Sequence, residues 1–150
     1  MDGILAVVAP TEADVHLLEE AGTVAAATGV DVVVLALAQE DTEHASVEAM
    51  RQWEGFEGAD LGDSTETPRH FAEYLGDVVL APRGVTYTAV GERVENMRPS
   101  EKTIDVAKNH GCDHVYVLNR SQSPAGKALF GDTTQSVILN FDGFVTVRTA

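Results

Sequence analysis

Apolar residues fall along this chain in two kinds of pattern, and their alternation predicts the fold. Residues 3–9 (GILAVVA) and 31–38 (DVVVLALA) are nearly continuous apolar runs, as expected of parallel strands covered on both faces. Between them Val15, Leu18, Gly22 and Ala25 recur at helical spacing, which predicts a helix over residues 11–29. Thr11 is its expected N-cap, with Asp14 three residues on, and Gly29 its stop. A short helix is read around residues 42–53, and a further one runs from Pro68 to about residue 80. Residues 85–90 (VTYTAV) alternate polar and apolar, the mark of an edge or half-exposed strand. Pro99 and Ser100 open the next helix, with Ile104 and Ala107 inward and Gly111 as its stop. Residues 114–118 (HVYVL) form a fourth strand and 144–148 (FVTVR) a fifth. The helix between them spans residues 132–140, with Thr134, Val137, Ile138 and Phe141 on one face. Strands interleaved with helices predict an α/β domain built on a doubly wound parallel sheet. Such sheets take ligands beyond the carboxyl ends of their strands, where the strand order switches.

Composition narrows the setting. At 150 residues and 44% hydrophobic content the chain makes one folded domain. No apolar run reaches the length of a membrane span, and Met1-Asp2-Gly3 leads straight into the first strand, so a cytoplasmic protein is expected. The single cysteine, Cys112, excludes an internal disulfide and fits a reducing compartment. Net charge is −14, from 24 acidic against 10 basic residues, which sets nucleic acid and anionic membrane aside as partners. Two settings fit such acidity: a cytosol of molar salt, as in halophiles, or a basic partner. The acidic residues are spread from Glu12 to Asp142 rather than gathered in a tail, which favours the first.

Candidate chemistry concentrates near the end of the chain. In SPAGKALFGDTTQSVIL (residues 123–139) two glycines, Gly126 and Gly131, flank a lysine and precede an amphipathic helix. A helix that follows a glycine-rich loop offers backbone N–H groups and a dipole to an anion. The residue after the second glycine, however, is Asp132, an anion itself. Phosphate-binding candidates are therefore Asn119, Ser121, Gly126, Lys127, Gly131 and Asp132, with Arg120 a further cation nearby. Gly126-Lys127 is not a Walker A loop: Ala128 stands in place of Ser/Thr, and no glycine lies five residues before Gly126. His110, Cys112 and His114 alternate as ligands on one strand would, but Gly111 interrupts them and no fourth ligand is evident, so no metal is expected. No G-x-S-x-G and no nucleophile beside a base is found, so no catalytic residue is assigned. Met50, Trp53 and Phe56 are either core or a docking face.

Three stretches resemble the universal stress protein family: ILAVVAPTE at the start, RPSEKTIDVAKNHGCDHVYVL in the third unit, and ALFGDTTQSVILNFDGFVTVR at the end. The resemblance implies a five-stranded parallel sheet of order 3-2-1-4-5 with helices on both faces, of adenine-nucleotide alpha hydrolase-like type. It also implies a homodimer, formed through the last strand at residues 144–148. Nucleotide-binding members carry Gly-x2-Gly-x9-Gly-Ser/Thr after the fourth strand. With Gly131 as its last glycine, the motif falls on Leu118, Ser121, Gly131 and Asp132, so one position in four is kept. The family's nucleoside-binding aspartate at the end of the first strand falls on Ala9, and of its later glycine-proline turn only Pro99 is kept. A phosphate cradle needs glycines so that N–H groups approach without a Cβ in the way. Leu118 is expected to fill the strand end, and Asp132 to cap the last helix with its own carboxylate where phosphate would sit. The expectation is a homodimeric binding or regulatory module in stress response, without the usual ATP site and with no cofactor, acting on a protein or small-molecule partner. The alternative is an ATP- and Mg²⁺-binding member with a rearranged loop at residues 119–131 and at most slow hydrolysis, in which Asn119 takes a turn conformation and amides near Gly126 and Gly131 cradle phosphate beside Lys127. A third option is a flavodoxin-like enzyme of unrelated chemistry.

Overall fold

The computed structural model describes residues 1–39, 45–56, 66–120 and 130–149. Ile4–Val8 forms β1, Val32–Ala38 β2, Tyr87–Arg93 β3, His114–Asn119 β4 and Phe144–Thr149 β5. They make one parallel sheet in the order β3-β2-β1-β4-β5. Ile4 pairs with Val32 on one side and His114 on the other, which places β1 at the centre. The chain winds outward from β1 through β2 to β3, then returns to the far side of β1 for β4 and β5. The switch in winding direction lies between β1 and β4.

Side-chain alternation along the central strands divides the core in two. Ile4, Ala6 and Val8 face helices α1 (Glu12–Thr28) and α3 (Thr67–Leu75), packing with Leu17, Leu18, Phe71 and Leu75. Leu5 faces α4 (Pro99–Asn109) and α5 (Asp132–Asn140), packing with Ile104, Ala107, Val137 and Phe141. Helices therefore cover both faces, and the expected α/β architecture and strand order are the observed ones. Thr11 caps α1 in an extended conformation, and Gly29 ends it at φ 74°, a left-handed conformation that costs glycine nothing. The short α2 (Val47–Arg51) is capped by Ser46 and brings Met50, Trp53 and Phe56 against Phe71. Met50 is fully buried in the core, and Trp53 and Phe56 are half-buried against it.

Two expectations need correction. The helix after Pro68 does not run uniformly to residue 80. α3 ends at Leu75, then widens into a π-helical turn at Gly76–Leu80 and tightens at Ala81–Arg83. Tyr87 of β3 packs against this turn: its ring lies so close to Gly76 that a Cβ there would strike it. Its hydroxyl donates its one proton to the Asp77 carboxylate and lies 3.1 Å from the Glu73 carbonyl oxygen, beside the turn. In α5, Thr134, Val137 and Phe141 are buried as expected, but Ile138 is exposed. The helix rests on the sheet along a narrower stripe than the sequence period suggested.

Candidate functional site

The carboxyl ends of β1, β2 and β4 open onto a pocket of about 550 Å³, at the switch in strand order. That volume is in the range of small-molecule sites. Val7, Val8, Ala9, Leu37, Val117 and Leu118 form its apolar side. Gln39, Ala45, Pro99 and Thr103 close another wall, and Phe130 to Thr134 bring in the start of α5. Leu118 lines this space rather than filling it, so the strand end stays open.

Among the described residues Arg120 is the cation that lines the pocket, and it is held from outside it. Its Nη2 donates to Oδ1 of Asp14, which has no exposed surface. The Asp14 carboxylate also accepts from the Thr11 hydroxyl, and Thr11 Oγ1 accepts from the Asp14 N–H at 3.2 Å. This arrangement is a helix cap with an ion pair added. The first turn of α1 favours a carboxylate through its free N–H groups and dipole, and the guanidinium completes its neutralisation. Sequence reading placed Asp14 in the cap but had no signal for a partner 106 residues away.

Asn119 stands at the last position of β4, and its Oδ1 accepts from the Gly131 N–H at 2.9 Å. Two expectations are thereby corrected. Asn119 is in a strand and not in a positive-φ turn, and no described non-glycine residue has positive φ. The Gly131 amide, expected to cradle phosphate, is already taken. Asp132 also differs from expectation: it does not cap α5. Gly131 occupies the N-cap with φ −63° and ψ 162°, no side chain caps the helix, and Asp132 is its first residue. Nothing holds the Asp132 carboxylate back from the pocket, because among the described residues it makes no hydrogen bond or ion pair. The three candidates Ser121, Gly126 and Lys127 lie outside the described residues.

The histidines and cysteine considered for metal do not converge. His110 donates from Nδ1 to the Val106 carbonyl at 3.0 Å, and His114 donates to the Asp113 carboxylate at 3.0 Å while stacking on Phe144. Among the described residues no three His, Cys, Asp or Glu side chains gather around one point. Asp113 also accepts from the N–H groups of Asp2 and Gly3, tying the N-terminus to β4. The hydrogen bond from His114, helped by those two amides, holds its carboxyl well below the usual carboxylate range. Burial, with Asp113 adding to it, pushes the Cys112 thiol up to about 11, which suits an inert packing residue.

A doubly wound sheet with helices on both faces and an open pocket at its switch point defines an α/β domain of the doubly wound class. The chain belongs to the universal stress protein family, whose sequence profile matches residues 1–147. No curated protein matches it. Among solved structures it is similar to a universal stress family protein from Burkholderia pseudomallei, with 16% identity, TM-score 0.65, and 99% of this chain and 96% of that one covered. It is similar to the universal stress protein from Archaeoglobus fulgidus in complex with dAMP, with 17% identity, TM-score 0.61, and 98% and 96% covered. A universal stress protein in complex with cAMP aligns with 13% identity, TM-score 0.65, and 97% and 94% covered. At such identities the likeness is one of fold.

Proposed function

We propose that this chain is a homodimeric binding module of the cytoplasm that holds a small ligand in its strand-end pocket and lacks the phosphate cradle of ATP-binding relatives. The observation that carries the reading is the start of α5. The Gly131 amide is committed to Asn119, and the carboxylate-bearing Asp132, without a partner among the described residues, lines the pocket beside it. An open pocket combined with a blocked cradle fits ligand binding without ATP turnover. Dimerisation is proposed through β5, which lies at the sheet edge and leaves Phe144 64% and nearby Leu139 71% exposed. Edge strands with such apolar surface are normally covered. The dispersed negative charge supports a working environment of high salt.

One observation favours the second reading, an ATP-binding member with a rearranged loop. The N–H groups of Asp132, Thr133 and Thr134 have no acceptor within α5, as in any first helical turn, and they border the pocket. The complexes of relatives with dAMP and cAMP point the same way.

Thermal melting at high KCl tests both readings, using adenosine, AMP, dAMP, cAMP and ATP with Mg²⁺ as probes. A ligand at about 100 times its dissociation constant adds about 2.7 kcal/mol, several degrees for a domain of this size. The first reading expects shifts with the less charged probes and none with Mg-ATP. A shift with Mg-ATP that is lost in Lys127→Ala would establish the second. No shift with any probe would contradict the pocket as a site for this class of ligand. Sedimentation equilibrium tests the dimer, with Phe144→Asp expected to shift it toward monomer.

A further inference from the structure

The amino ends of β4 and β5, at the opposite end of the sheet from the pocket, carry a titratable cluster that the binding site does not use. Three donors meet there on one atom. Asp113 Oδ1 accepts from the Asp2 and Gly3 N–H groups at 3.0 and 3.2 Å and from His114 Nδ1 at 3.0 Å. The Asp113 carbonyl accepts from the Phe144 N–H at 2.9 Å, so one residue ties together the N-terminus, β4 and the first residue of β5. The His114 ring stacks on the Phe144 ring, with centroids 4.6 Å apart and planes 15° from parallel. The His114 side chain is 15% exposed, whereas Phe144, on the edge strand, presents most of its surface.

A carboxylate accepts and does not donate, so the His114 proton sits on Nδ1 and Nε2 is left to take a second one. Histidine is the side chain whose charge ordinarily changes between about pH 5 and 8. The surrounding elements bring few other charges. Residues 24–28, the last turn of α1, hold no titratable side chain, and β1 meets His114 with Ile4. The N-terminal segment brings the Met1 amino group and Asp2, and Asp31 precedes β2. Lys108, His110 and Cys112 lie at and after the end of α4, and Tyr116 follows on β4. Asp142 precedes β5, and Arg148 stands four residues beyond Phe144. Among the described residues only Asp113 pairs with the ring.

We propose that His114 is a pH-sensitive clasp at this end of the sheet, holding the N-terminus and the β5 edge more firmly when its second proton is bound. The imidazolium is an ion-pair partner for Asp113, where the neutral ring is a hydrogen-bond donor alone. It also sets positive charge against the negative face of the Phe144 ring. Both attractions are present at mildly acid pH and are lost as pH rises through the histidine range. Asp113 stays ionised throughout, because the His114 hydrogen bond and the two amides hold its carboxyl well below the usual range. The clasp is independent of what the pocket binds.

The test is thermal melting of the whole chain at fixed KCl, at about pH 5.5 and about pH 8, for wild type and His114→Gln. Glutamine keeps a donor for Asp113 but takes no proton. The advantage of wild type over His114→Gln should be larger at the lower pH by roughly 2 °C. Phe144→Leu, which keeps the edge apolar but removes the aromatic face, should reduce that extra advantage. An advantage equal at the two pH values, or larger at the higher one, overturns the proposal. Hydrogen exchange of wild type needs no variant. Protection of the Gly3 and Phe144 amides, corrected for intrinsic exchange and taken relative to Leu35 in β2, should fall between the lower and the higher pH. Protection that stays constant or rises overturns the proposal as well.

Discussion

Replacing Arg120 with alanine isolates the interaction that joins α1 to the strand-end pocket. The substitution leaves the Asp14 carboxylate with no exposed surface and with only Thr11 and the first turn of α1 to satisfy it. Breaking a fully buried ion pair by removing one partner costs about 3–5 kcal/mol. Two features lower that figure here. The Arg120 side chain is 31% exposed, so part of the attraction is screened, and the helix dipole continues to favour the carboxylate. The expected loss is about 2–3 kcal/mol, or a fall of roughly 5–10 °C in melting temperature for a domain of this length. Urea unfolding at fixed KCl measures it, and Arg98→Ala supplies the contrast. Arg98 pairs with Glu101 at 3.4 Å with both side chains largely exposed, so its loss should stay within about 0.5 kcal/mol. A double-mutant cycle with Asp14→Asn and Arg120→Met should return a coupling above about 1 kcal/mol. If Arg120→Ala costs no more than Arg98→Ala, Asp14 is satisfied without its partner and the account of the pair is wrong.

Other expectations concern packing, protonation and salt. Gly91→Ala places a Cβ into the Arg69 backbone where α3 crosses β3, and a loss of about 2–3 kcal/mol in urea unfolding is expected; a loss under about 0.5 kcal/mol would refute that close approach. Asp113 has a depressed carboxyl pKa in the fold, so its stabilising contribution is complete above the unfolded value of about 4 and fades as pH drops below it. Asp113→Asn should therefore be less stable than wild type at neutral pH, with the gap narrowing below about pH 4; a gap independent of pH would contradict the His114 hydrogen bond as its cause. The Cys112 thiol, pushed up to about 11 and buried, should resist a disulfide reagent at pH 8 until the chain unfolds, and rapid native labelling would argue against its burial. Melting temperature should rise as KCl approaches 1 M, where the screening length falls to about 3 Å; no change with salt would favour a basic partner as the reason for the acidity.

Much of the fold was legible because its apolar runs are long and their periods clear. The α1 caps at Thr11 and Gly29, the start of α5 at Asp132, and the continuous strands β1, β2 and β4 were all read where they lie. β3 was read early, at residues 85–90, because Glu92 and Arg93 do not look like strand residues. They extend the strand because they pair in register with Leu37 and Ala38. The π-helical turn left no local trace, and the tyrosine that packs against it arrives from the next strand. The candidate site was legible as a place but not as a mechanism. Glycine and charge patterns pointed to residues 119–132, yet the Asn119–Gly131 bond and the Asp14–Arg120 pair are long-range contacts that no spacing rule encodes. The same limit explains why Asp132 was read as a helix cap: the sequence alone does not distinguish the N-cap from the first helical residue beside it.

The central claim, that the strand-end pocket is the ligand site, is tested most directly by obstructing it. Adenosine binding should be titrated into wild type and into Thr133→Trp, where a bulky ring replaces an exposed pocket-lining residue at little cost to folding. Binding lost in the variant, with its melting temperature kept, is the predicted result. Binding that persists unchanged in Thr133→Trp would place the ligand elsewhere and contradict the account.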